Sequence, residues 1–164
     1  MSSNSEDFKT ARPLSDEDVD KARMRLAKLS TSDLNNIIET FSQLTNGILK
    51  MCLTFTDDEN EIAEIERLKR LINLAPKDEL FLRSKDKIWD SREHILSRNA
   101  NWFIERDYSK LIKKDNKQTM IETMISIAKE SYPELSEDEK NMYWSKITQL
   151  LRVVALYKQL TGEP

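Results

Sequence analysis

The sequence predicts an all-α fold: a multi-helix bundle, about six to eight helices, behind a polar N-terminal tail. Three observations carry that expectation. Apolar residues recur at three- and four-residue steps through most of the chain. Only 2 Gly and 4 Pro occur among 164 residues, too few for the turns an all-β fold needs. One stretch, Ser136 to Leu160, has clear helix signals at both ends. Ser136 with Glu139 forms a capping box, in which each side chain satisfies a backbone donor that the helix leaves free. Glu137, Asp138 and Glu139 put negative charge at the positive end of the helix dipole. Tyr143, Ile147, Leu150, Leu151, Val154 and Tyr157 form its stripe, and Gly162 marks its end. Leu150 to Tyr157 is apolar nearly all round except for Arg152, so this helix is expected at the centre, covered on more than one side.

Residues 1–13 are polar and aperiodic, with Phe8 as the only large apolar side chain. They read as a tail that docks on a partner through Phe8. Residues 14–164 read as a single helical domain, with Pro76 the place where it would subdivide. Ser15 caps the first helix, which runs to Leu29 with Val19, Ala22, Leu26 and Leu29 as its stripe. Thr31 or Ser32 caps the second, whose stripe is Leu34, Ile37, Ile38, Phe41, Leu44, Ile48, Leu49 and Cys52. Gly47 inside that pattern marks a close helix contact or a break. After an acidic turn, Thr54 to Asn60, the positions Ile62, Ile65, Leu68, Leu71 and Ile72 give a third helix, which Pro76 ends. Short joining turns suggest that these three pack as an antiparallel bundle. Short helices are expected over 79–89, 91–98 and 100–113. The segment 116–131, with Met120, Ile121, Met124, Ile125 and Ala128 on one face, is a further helix stopped by Pro133.

Composition narrows the function. The chain is 38% hydrophobic and 34% charged, with net charge −3, so no global field favours nucleic acid or an acidic membrane. A single cysteine, Cys52, excludes an intramolecular disulfide framework and fits a reducing compartment: cytoplasm, nucleus or virion interior. The N-terminus carries no apolar signal core, and the longest apolar run, Val153 to Tyr157, is far too short to cross a bilayer. No P-loop, dinucleotide fingerprint or nucleophile elbow is present. One histidine, His94, is too few for a structural zinc or helical di-iron site. Asp90, Glu93 and His94 share a turn, but read better as a solvated face than as a metal site. Asp57 to Glu61 lacks the Gly and final Glu of an EF-hand. Cys52 lies on an apolar stripe and reads as a buried structural thiol. These readings point away from an enzyme, from a cofactor and from a small-molecule substrate.

The sharpest local departure is Arg83 to Lys117. It holds ten basic residues: Arg83, Lys85, Lys87, Arg92, Arg98, Arg106, Lys110, Lys113, Lys114 and Lys117. Six acids reduce the segment to +4, leaving −7 elsewhere. Trp89, Trp102, Phe103 and Tyr108 are interleaved. Basic residues among aromatics can hold phosphates and stack on bases, so nucleic-acid binding is the alternative reading. The plainer one is aromatics in the core and charges paired or solvated. Met120, Met124 and Met142 would form an adaptable surface or fill the core. Trp144 adjoins Tyr143, and adjacent helical residues point about 100° apart. One of the two therefore faces the core, and Trp144 is a candidate contact to a partner or a second layer. The run Arg98 to Tyr108 matches no named motif. The abundance of Ile, Asn and Lys resembles proteins of large DNA viruses in style alone. The expectation is a non-enzymatic structural or adaptor subunit, self-associating or bound to other proteins, for which a viral or virion assembly is one setting.

Overall fold

The computed structural model describes residues 15–29, 31–105, 127, 129 and 131–164. The tail with Phe8, most of the 116–131 segment with Met120 and Met124, and Arg106, Lys110, Lys113, Lys114 and Lys117 lie outside the described residues. Every regular element among the described residues is helical: α1 (Asp16–Leu29), α2 (Ser32–Thr54), α3 (Glu59–Leu74), α4 (Lys77–Asp90), α5 (Arg92–Leu96), α6 (Ala100–Ile104), a 3-10 turn at Tyr132–Glu134, and α7 (Glu137–Thr161). The fold is the all-α, multi-helix bundle that the periodicity predicts. None of these helices is long and apolar enough to cross a membrane.

The caps explain the boundaries. Ser15 Oγ accepts from Asp18 N at 3.1 Å and opens α1. Thr31, not Ser32, caps α2, with Oγ1 accepting from Leu34 N at 3.3 Å. Asp58 Oδ1 accepts from Asn60 N and Glu61 N, so α3 starts inside the acidic turn. Ala75 is extended at ψ 143, as a residue before proline prefers, and Pro76 then leads into α4. At α7 the capping box is complete: Glu139 N donates to Ser136 Oγ at 3.2 Å and Ser136 N to Glu139 Oε1 at 2.9 Å. Gly162, at φ 72, ends α7 by donating its N–H to Lys158 O at 2.9 Å. Gly47 neither breaks α2 nor marks a close approach, since a Cβ there would meet only Lys146 Nζ at 3.9 Å.

The core forms where α2, α4 and α7 meet. The Phe81 ring packs edge-on against Phe41 at 5.1 Å and against Tyr157 at 4.9 Å. Leu80, Phe81 and Leu82 are all buried. Three consecutive side chains sweep about 200° of a helix, so α4 has to be covered on more than half its circumference. α1, α2, α5 and α7 supply that cover. α7 packs on α2, α4 and α5, and therefore shares the centre with α4 rather than holding it alone. Core residues on both sides of Pro76 belong to one continuous cluster.

Two expectations change. α1 packs chiefly on α4 instead of completing a three-helix bundle with α2 and α3. Val19 and Leu26 are its buried contacts, Leu29 stays exposed, and Arg23–Asp78 (2.9 Å) and Arg83–Asp16 (2.7 Å) tie it across. Leu156 and Leu160, near the end of α7, are 46% and 48% exposed, so the apolar run there is not covered all round.

Candidate functional site

The five described residues of the basic segment do not form one exposed face. The Arg83 side chain is 6% exposed, and its guanidinium bridges Glu79 one turn back (3.0 Å) and Asp16 of α1 (2.7 Å). Lys85 is buried among carboxylates. Lys87 is half-buried on α4. The Arg92 guanidinium lies 4.6 Å from the Trp89 ring centre and donates to Trp89 O at 2.9 Å. Arg98, at φ 53, turns the chain between α5 and α6 and donates to Asn141 Oδ1 of α7 at 2.8 Å. Among these five described residues, Lys87, Arg92 and Arg98 retain surface that could meet a phosphate.

Lys85 belongs instead to a cluster that sequence reading missed. The side chains of Lys85 and Lys158, from α4 and α7, are 8% and 7% exposed. Both face Asp86 (3.1 Å from Lys85, 3.8 Å from Lys158) and Glu163, which lies just after α7. Glu163 accepts a hydrogen bond from Lys85 and lies 3.5 Å from Lys158. Lys158 also donates to the Pro164 main-chain oxygen at 2.7 Å. The aromatic walls are Trp89, 5.4 Å from Lys158 Nζ, and Tyr157, 5.8 Å from Lys85 Nζ. Burial alone would push the Glu163 carboxyl up. The hydrogen bond from Lys85, the two lysine charges and the Tyr157 hydroxyl outweigh it and hold the carboxyl below its ordinary value. The Tyr157 phenol is pushed up to about 12, first by burial and then by the charge of Glu163. The readable signal was positional. Lys158 falls four residues after Val154 and Lys85 four after Phe81, so each lysine stands on an apolar stripe.

The other end of α7 is aromatic and neutral. Tyr143 and Trp144 are both buried, so Trp144 faces a second internal layer. Its indole N–H donates to the Tyr132 hydroxyl at 2.9 Å, and its ring lies 5.8 Å from Phe103. Phe103 packs edge-on against Trp102 at 4.7 Å, and His94 stacks on Trp102 at 3.9 Å, nearly parallel. His94 is thus engaged with an indole. Among the described residues no three His, Cys, Asp or Glu side chains gather as metal ligands. Cys52 Sγ and Tyr143 Oη are 2.8 Å apart. Burial pushes the thiol up to about 11 and raises the Tyr143 phenol as well, so both are neutral at ordinary pH.

One face of α7 is left over. Met142, Leu156 and Leu160 are exposed, Val153 is half-buried, and at 100° per residue all four fall within about 60° of one another. Lys158 points to the opposite side. Searches of family models, curated proteins and solved structures find no match to this chain.

Proposed function

We propose that this chain is a non-enzymatic structural or adaptor subunit that acts through protein–protein contacts and offers the outer face of α7 to a partner. The observation that carries the reading is the stripe Met142, Val153, Leu156 and Leu160. Single exposed apolar residues are ordinary on any surface. Here Leu156 and Leu160, with the half-buried edge of Val153, follow at three- and four-residue steps, the spacing by which helices anchor in apolar grooves, and Met142 lies three turns earlier on the same side. The bundle beneath supports that face: Leu150, Leu151 and Val154 on the inner side are buried, which fixes the helix in position and rotation. A preformed face loses little conformational entropy on binding.

The test is affinity capture of the full chain from its native source, with and without nuclease, alongside the double variant Leu156→Glu/Leu160→Glu. Stoichiometric protein partners that survive nuclease and are lost with the variant support the reading. Partners lost to nuclease but retained by the variant would overturn it in favour of phosphate contacts by Lys87, Arg92 and Arg98.

A further inference from the structure

The charged cluster between α4 and α7 has an asymmetry. Lys85, Asp86 and Lys158 are fixed on helices, whereas Glu163 sits on the short segment after α7, beyond the left-handed Gly162. Rotation at Gly162 can withdraw Glu163 without disturbing either helix. We propose that Lys85 and Lys158 form a carboxylate-binding seat, that Glu163 fills it as a tethered ligand, and that an acidic segment of a partner protein docks by displacing Glu163.

The chemistry follows from charge and burial. With the segment beyond Gly162 withdrawn, Glu163 and the Pro164 oxygen leave together, and two ammoniums more than nine-tenths buried would keep Asp86 as their carboxylate partner. An uncompensated buried cation is strongly unfavourable, so the vacated seat demands an anion. Exchange of one carboxylate for another keeps the ion pairs with both lysines, so the outcome is set by partner concentration against the effective concentration of the tethered Glu163. The Tyr157 hydroxyl, which helps hold the Glu163 carboxyl low, is placed to act in the same way on the incoming group. Trp89 and Tyr157 hold the ammoniums by cation–π contact while the carboxylates exchange. Arg92 shares the Trp89 ring with Lys158, and Arg25 of α1 acts on Tyr157, so further positive charge borders the seat. That field steers an acidic chain toward it. Asp86 sets the ligand class: two lysines and one fixed carboxylate leave a single positive charge, which suits one carboxylate better than a doubly charged phosphate. The inference stands on this geometry and does not require the outer face of α7 to bind anything.

The probe is a fluorescein-labelled hexaglutamate peptide, read by anisotropy at low salt against the full-length wild-type chain, Glu163→Ala and Glu163→Ala/Lys158→Met. The vacated seat should bind at least about tenfold tighter than wild type, the ratio expected for gaining a charged hydrogen bond, and the added Lys158→Met should erase the gain. Equal affinity for wild type and Glu163→Ala, or a gain that survives Lys158→Met, overturns the proposal. A second measurement needs no substitution. Carbodiimide treatment of the wild-type chain should join Glu163 to Lys85 or Lys158 as an amide with loss of water. Excess hexaglutamate should reduce that internal product and place peptide on the same lysines. An internal product that excess peptide leaves unchanged contradicts displacement.

Discussion

The two ends of α7 are held to the bundle by opposite physics. Near its start, Tyr143 and Trp144 enter a neutral aromatic layer with Phe55, Tyr132 and Phe103, where the polar atoms are satisfied pairwise: indole to Tyr132, phenol to Cys52. Near its end, Lys158 enters a charged cluster with Lys85, Asp86 and Glu163. The first attachment draws on apolar area and packing, which salt and ordinary pH leave unchanged. The second depends on ionisation, because each buried charge is tolerable only while its partners stay charged. One helix thus carries a permanent anchor and a conditional one, and the conditional one includes Glu163, beyond the left-handed Gly162.

The comparison can be broken at either end. Tyr143→Ala should give the largest effect, a loss of about 3–5 kcal/mol, because the ring is fully buried and its cavity lies under Phe55 and Cys52. Urea unfolding measures it, and a loss below about 1 kcal/mol would mean that this end is not the anchor. Glu163→Ala should cost less, about 1–3 kcal/mol, as it leaves two lysines with one carboxylate side chain, Asp86, and the Pro164 oxygen on Lys158. Its cost should also depend on pH. The Glu163 carboxyl is held low in the fold, so its contribution is present above the ordinary glutamate value of about 4.3 and lost as pH falls below it. The wild-type advantage over Glu163→Ala should therefore shrink on acidification. Cys52 runs the other way. Its thiol is raised to about 11 in the fold, so its contribution is complete below the ordinary thiol value and lost as pH rises toward 11. Alkylation of the native chain should stay slow through that range and become fast on unfolding.

The two glycines sharpen the contrast with smaller effects. Gly162→Ala should cost about 1 kcal/mol, since φ 72 is strained for any side chain although no atom lies within 4 Å. Gly47→Ala should stabilise by roughly 0.5–1 kcal/mol, because the helix is unbroken and the nearest atom is a lysine tip at 3.9 Å. A destabilised Gly47→Ala would show a tighter α2–α7 contact than the geometry describes.

What could be read in advance was whatever depends on neighbours along the chain. Ser136 with Glu139, Gly162 and Pro76 act within a turn or two of themselves, and the ends of α7 and α3 fell where those signals put them. The stripe of α2 is a local periodicity and was recovered almost whole. The charged cluster depends on a pairing between α4 and α7 that brings Lys85 beside Glu163, 78 residues away. No spacing rule encodes that contact. Lys85 falls in the basic stretch, where the plainer reading leaves each charge paired or solvated, and it is paired, with Asp86 on its own helix and Glu163 beyond α7. Its place four residues after Phe81 held the missing information, as did that of Lys158 after Val154. For Trp144 the sequence leaves a partner or a second layer open, and the structure supplies the second layer: Tyr132 and Phe103 cover the side next to Tyr143. Adjacency in sequence places α1 with α2 and α3, whereas Arg83 and Asp78 draw it onto α4.

Amide hydrogen exchange along α7, followed from about pH 6 downward past the ordinary glutamate value of about 4.3 and corrected for intrinsic rates, would separate the two attachments. Protection of residues 154–161 should fall as Glu163 takes up its proton, while residues 143–151 stay protected. Loss of protection at both ends together, or first around Tyr143, would contradict the division of α7 into a permanent and a conditional anchor.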